Sequence, residues 1–269
     1  MNGGLHGLNI LLTNDDGINA GGIRALVREL STLGDLYVVA PDREQSGTGH
    51  SITVFEPILT QKLEIEGVKA AWIVKGTPVD CVKLAIGKLL SPKMDLVVSG
   101  INHGPNLGTD VLYSGTVSAA AEGVIMGVPS VAVSLNSYND TMDFTFPAQF
   151  TRNFIRTVIR RGIDRNTMVN INIPPLPPRQ IKGIRITRLG VRNYDNLFEE
   201  RRDPRGNTYY WLGGGVRKEE QEKDSDVLAV EENYISITPL HLDLTDYILM
   251  EEYRQVFRRY LDYFDGEKV

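Results

Sequence analysis

The sequence predicts an α/β fold in which a mostly parallel sheet carries helices on both faces. Three observations point to it. Short runs rich in Val, Ile and Leu alternate with longer stretches of helical period. Most of these runs are apolar throughout, as strands covered on both faces require. Three of them end in clusters of polar residues and glycine, where an open α/β sheet has its ligand crevice.

In chain order, the apolar runs place strands at 8–14, 35–42, 70–76, 95–102, 129–135 and 167–174. Between them, 21–34 reads as a helix with Ile23, Leu26, Val27 and Leu30 on one face and Gly34 as its stop. A helical apolar pattern also surrounds Cys81 over 78–90, and 114–127 and 147–162 predict two further helices, each closed by a glycine. The proline-rich run 172–178 ends this alternation. Beyond it, 183–190, 207–215 and 233–244 have the β-branched or alternating pattern of antiparallel strands. The charged stretches 199–206 and 217–226 between them read as solvated loops, and an amphipathic helix over 245–264 closes the chain. Two parts are therefore expected, a core over 1–178 and a β-rich extension with a terminal helix over 179–269.

A chain of 269 residues can bury a substantial core, and its formal net charge of -5 argues against a partner in duplex nucleic acid. A small anionic substrate remains compatible if a local cation receives it. The single cysteine, Cys81, has no partner for an intramolecular disulfide, which fits a reducing cytoplasm. The first residues show neither a basic leader nor an apolar span, so no secretory signal and no membrane partner are expected.

The chemistry gathers in three clusters. Asp15 and Asp16, preceded by Asn14 and followed by Gly17, end the first strand. Adjacent carboxylates disfavour each other's ionisation unless a cation or hydrogen-bond donors stand between them. Their hard oxygens suit Mg2+, Mn2+ or Ca2+. Read alone, the pair is equally an Asx-rich turn. The second cluster, 41–53, carries Ser46, Gly47, Thr48, Gly49, His50 and Ser51. It matches neither a dinucleotide fingerprint nor a P-loop, and by itself a surface loop explains it. In the third, 99–123, Asn102 closes a strand, glycines follow, and Ser114, Gly115 and Thr116 open an Ala-rich helix. Such a helix start can be an ordinary cap or a phosphate site. Asp110 in the same loop is either an acid-base group or a loop carboxylate. Combined, two aspartates, a serine hydroxyl and an asparagine amide can share one hard cation beside a phosphate, an arrangement suited to metal-assisted phosphoryl hydrolysis.

The motifs TNDDG, PDREQSGTGHSIT, KGTPVDCV, SGINHGPNLGTDVLYSGTVSAAAEG, DPRGNTYYWLGG and YISITPLHLDLT occur here in one order. In them the chain resembles the SurE family, stationary-phase survival proteins that are metal-dependent 5'-nucleotidases. The resemblance implies that Asp15, Asp16, Ser46 and Asn102 hold one divalent cation, Mg2+ or Mn2+, with the two aspartates also serving catalysis. Ser114, Gly115 and Thr116 then fall at the phosphate together with Asn102, and Asn14, His50 and Asp110 are secondary candidates. It implies hydrolysis of nucleoside 5'-monophosphates, often 3'-monophosphates, and some short polyphosphate. It also implies a Rossmann-like core with a C-terminal part exchanged between subunits of a homodimer or homotetramer. Gly21 stands where the family commonly has proline, which alters loop stiffness and no ligand. His241 either orients the C-terminal segment or approaches the site from a partner subunit. A phosphatase without nucleotide preference and a nucleotide-binding sensor are the two rival expectations.

Overall fold

Six strands align in parallel because each apolar run is followed by a connection long enough to cross a face of the sheet. A computed structural model describes residues 7–139, 141–159, 164, 166–195, 198–258 and 260. The parallel strands are β1 (Leu8–Thr13), β2 (Gly34–Pro41), β4 (Ala70–Lys75), β5 (Leu96–His103), β6 (Ser130–Leu135) and β7 (Met168–Ile173), within one nine-stranded sheet. The sheet order is β3-β4-β2-β1-β5-β6-β7-β13-β8, where β3 is Leu59–Leu63, β8 is Gly183–Ile186 and β13 is Tyr234–Leu240. The sheet therefore runs on across position 178.

Both faces are covered, by alternation along each strand. Ile10 and Leu12 of β1 and Val38 of β2 join a core with Ile23, Leu26 and Leu30 of helix α1 (Gly21–Leu30) and Ala148 and Ile155 of α4 (Thr145–Ile159). Leu11, Val39 and Val74 point the other way, onto Cys81 and Val82 of α2 (Pro78–Leu84) and Ala119 of α3 (Gly115–Ile125). A π-helical turn, Ala85–Leu89, continues α2. Gly34 begins β2 rather than stopping α1, because a Cβ there would lie 2.1 Å from the Leu8 carbonyl oxygen of the neighbouring strand. Gly127 closes α3 with φ +77°, as expected, whereas 160–162 lie outside the described residues.

Four further local readings change. Strand β3 escapes the pattern because LTQKL is a short polar edge strand without an apolar face. Strands β8 and β13 pair in parallel, not antiparallel, because residues 187–233 separate them and give the chain room to return; β13 is antiparallel to β7 alone. The charged stretch 199–206 is half strand: β10 (Phe198–Arg202) pairs with β11 (Thr208–Leu212), and the Asp203 carboxylate accepts from the Arg205 and Asn207 N–H groups to close the hairpin. The stretch 217–226 ends in the buried Ser225 and Asp226, which start α5 (Asp226–Glu231). A short ladder joins β9 (Tyr194–Asp195) to β12 (Gly215–Val216). Helix α6 (Tyr247–Val256) begins where expected, its side chain cap being Asp246, while 259 and 261–264 lie outside the described residues.

One close approach positions the site. Helix α1 presses on β5 so tightly that a Cβ at Gly22 would lie 2.0 Å from the Ile101 carbonyl oxygen. There the β5–β6 register shifts between Ser99 and Asn102, which re-aims the end of β5. Gly22→Ala is therefore expected to lower stability by about 1–3 kcal/mol, read from urea unfolding. A variant as stable as the parent protein would show that this contact yields freely.

Candidate functional site

The carboxyl ends of β1, β2 and β5 converge, and the turn after β1 aims the aspartates. Gly17 takes φ +93°, and the Asn14 Nδ2 group donates to its carbonyl at 2.9 Å. The bend is therefore closed by an amide N–H donated to a main-chain carbonyl, and it carries the two adjacent carboxylates.

Asp15 is 4 % exposed and meets the first turn of α3. Its Oδ2 accepts from the Thr116 N–H at 3.0 Å and its Oδ1 accepts from the Thr116 hydroxyl. Gly115 is required here, since a Cβ would lie 2.8 Å from Asp15 Cβ. A buried carboxylate facing a helix N-terminus gains from the helix dipole and its open N–H groups. Asp16 accepts from the His103 N–H at 3.2 Å, which joins β1 to the re-aimed end of β5. Asn102, one residue earlier, donates from Nδ2 to the Gly104 carbonyl at 2.9 Å.

The loop after β2 closes over this pair. The Gln45 N–H donates to the Asp15 carbonyl at 2.8 Å and the Gly49 N–H to the Tyr113 carbonyl at 3.0 Å. Ser46, next to Gln45, donates its hydroxyl to Glu44 at 2.7 Å, which leaves its oxygen lone pairs available. At the loop's far end Thr53 donates its N–H to Asp80 at 2.9 Å, and Asp80 also completes the capping box of α2 with Thr77.

Charge is the difficulty at this point. Burial pushes the Asp15 carboxyl above its ordinary value, and burial together with the Asp15 charge pushes Asp16 from 3.8 up to about 7. Three buried polar atoms at the ends of β1 and β5, Thr13 Oγ1, Asn14 Oδ1 and Ser99 Oγ, have no hydrogen-bond partner. An oxygen-rich pocket of mutually repelling carboxylates fits a hard divalent cation. Among the described residues no group of three or more His, Cys, Asp and Glu is placed to hold a metal, so a cation here would also need amide or hydroxyl oxygens.

The remaining candidates divide. The Ser114 Oγ caps α3 by accepting from the Val117 N–H at 3.0 Å, and Thr116 is engaged by Asp15, so both side chains already serve the helix start. His50 turns elsewhere: its Nε2 lies 3.1 Å from Oε2 of the buried Glu122, whose other oxygen meets Lys83 at 2.6 Å. Asp110 accepts from the Tyr194 hydroxyl at 2.7 Å and pairs with Arg192 at 2.8 Å. His241 is exposed just after β13.

Sequence reasoning missed the residues that brace the third loop. Asn106 receives a hydrogen bond on its carbonyl from each of Asn170 and Asn172, donates its N–H to Asn172, and reaches Ser134. Asp226 accepts from the Gly108 N–H at 2.9 Å and the Gly190 N–H at 2.8 Å, tying the loop to the extension. The readable signal was the alternating Asn170 and Asn172 in an otherwise apolar strand; Asp226 was hidden among surface-like charges.

A family model described as Survival protein SurE matches residues 10–196. The 5'-nucleotidase SurE of Syntrophomonas wolfei subsp. wolfei is 66 % identical over 253 residues, 94 % of this chain and 96 % of that protein. The 5'-nucleotidase SurE of Heliobacterium modesticaldum is 52 % identical, covering 91 % of this chain and 90 % of its own. The crystal structure of the SurE protein from Aquifex aeolicus superposes with a TM-score of 0.80 at 43 % identity, covering 92 % of this chain and 99 % of that one.

A raised carboxyl has a signed consequence for metal-free protein. Asp16 titrates at about 7 when folded against 3.8 ordinarily, so the native state loses stability as pH rises through that window. Asp16→Asn removes the loss, and after chelation it should unfold at higher urea than the parent at pH 8, by on the order of 2 kcal/mol, with little difference at pH 4. A variant less stable than the parent at pH 8 would contradict the repulsion.

Proposed function

This chain belongs to the SurE family, and on that premise we propose that Asp15, Asp16, Ser46 and Asn102 hold one divalent cation, Mg2+ or Mn2+, at which nucleoside monophosphates are hydrolysed. The chain is a 5'-nucleotidase, a phosphoric monoester hydrolase. The observation that carries the metal reading is the adjacent pair Asp15, buried, and Asp16, partly buried: burial raises both carboxyls, and the Asp15 charge raises Asp16 further.

When bound, such a cation supplies positive charge that draws in the phosphoryl oxygens and eases the attack of water on phosphorus. The chain does the rest by positioning. Thr116 holds Asp15 through both carboxylate oxygens, and the His103 N–H orients Asp16. Asp16 is the better placed of the two to take the proton from the attacking water, because Asp15 is the more fully committed. Ser114, Gly115, Thr116 and Asn102 border the phosphate, with Asn14 supporting the turn beneath it. The cluster addresses a phosphate and a cation, so 3'-monophosphates and short polyphosphate present the chemistry it needs.

The extension supports a homodimer or homotetramer. Tyr210, Trp211 and Leu212 of the hairpin are exposed, and Leu249, Met250 and Tyr253 of α6 form a shallow apolar face with Phe257 just beyond it. Apolar faces of this kind mark association surfaces. The part from 179 onward thus joins the core through β8 and β13 and offers its hairpin and helix to another subunit, including any exchange of elements. The lone, buried Cys81 suits a reducing cytoplasm. Among the described residues no helix is long and apolar enough to cross a membrane.

Protein stripped with EDTA is expected to release no phosphate from nucleoside 5'-monophosphates until Mg2+ or Mn2+ is restored, and Asp15→Asn should then cut turnover by roughly a hundred-fold or more. Activity indifferent to both chelation and Asp15→Asn would overturn the reading.

A further inference from the structure

Tyr138 is 73 % exposed, yet it is not a loose surface side chain. Its ring lies on the backbone at Gly104, where a Cβ would come 2.5 Å from Tyr138 Cε1 and where φ is +123°. Gly104 directly follows His103, whose N–H is bound to Asp16, and stands two residues beyond Asn102. One face of the tyrosine is therefore seated beside the candidate phosphate and cation site while the ring remains open to solvent.

The segment that presents it is pinned. The Gly104 N–H donates to the Leu135 carbonyl at 3.0 Å, the Asn136 N–H to the Ile173 carbonyl at 2.9 Å, and the Asn139 N–H to Ser137 Oγ at 3.1 Å. Nearby, Tyr194 is fixed by Asp110, with the Arg192 guanidinium 5.9 Å from its ring. The backbone that carries Tyr138 is thus tied to β5, β6 and β7. An aromatic ring held in place offers a flat surface on which any base can stack without hydrogen-bond readout, and it loses little freedom on binding.

We propose that Tyr138 is the stacking platform for the nucleobase and that it sets the preference for nucleotides over phosphate esters lacking a base. The inference rests on the nucleotidase reading of the site. A platform of this kind favours purines through their larger face and makes no demand on the exocyclic groups.

The test compares adenosine 5'-monophosphate with ribose 5-phosphate, which has the same phosphate and sugar without the base, on metal-loaded wild type, Tyr138→Ala and Tyr138→Phe. In Tyr138→Ala, kcat/KM for the nucleotide should fall by about five- to a hundred-fold, carried mainly by KM, while ribose 5-phosphate kinetics stay unchanged. Tyr138→Phe should retain the wild-type ratio. An unchanged ratio in Tyr138→Ala, an equal fall for both substrates, or a Tyr138→Phe variant as impaired as Tyr138→Ala would each overturn the stacking role. If the wild type hydrolysed neither compound, the nucleotidase reading itself would fail and this inference with it.

Discussion

The structure turns on two neighbouring carboxylates at the end of β1, Asp15 buried and Asp16 partly buried, the first of which disfavours ionisation of the second. Asp15 and Asp16 cannot separate, because a strand delivers them together and a glycine turn follows at once. Burial raises both carboxyls, and the charge of Asp15 raises Asp16 further. The surroundings answer with N–H groups from two directions, Thr116 at the start of α3 and His103 at the end of β5. These donors orient the carboxylates without neutralising them, and that residual charge is what the proposed divalent cation would balance.

Close backbone approach is the means by which distant segments reach this pair. Gly115 lets the start of α3 contact Asp15, Gly22 lets α1 press on β5, and Gly104 lets the Tyr138 ring rest beside the crevice. Each permits an approach that a side chain would block, so the geometry of the site depends on positions with no chemistry of their own. Behind them the Asn170 and Asn172 side-chain amides both donate to the Asn106 carbonyl, and Asn172 accepts from the Asn106 N–H, while Asn170 Oδ1 has no partner. These three bonds tie the glycine-rich loop to β7.

The central sheet was legible because its strands are covered on both faces and so are continuously apolar, as 35–42 and 129–135 show. Strand β3 was not, since its polar edge carries no such signal, and the parallel pairing of β8 with β13 depends on a connection whose path no local pattern records. At the site, clusters could be recognised by their glycines and amides. Which member does what could not: His50 belongs to Glu122 and Asp110 to Arg192 and Tyr194, partners 72 to 84 residues away in sequence. Asp226 was concealed because its charge looks like its solvated neighbours and only tertiary packing buries it.

The most direct measurement is a Mn2+ titration of EDTA-stripped protein at pH 8, with free Mn2+ followed by electron paramagnetic resonance, on wild type, Asp16→Asn and Asp110→Asn. The account predicts one tightly held ion per chain in wild type and Asp110→Asn, and loss of that ion in Asp16→Asn. Equal binding by Asp16→Asn and wild type would contradict it, for the adjacent carboxylates would then be a turn that merely tolerates its own repulsion.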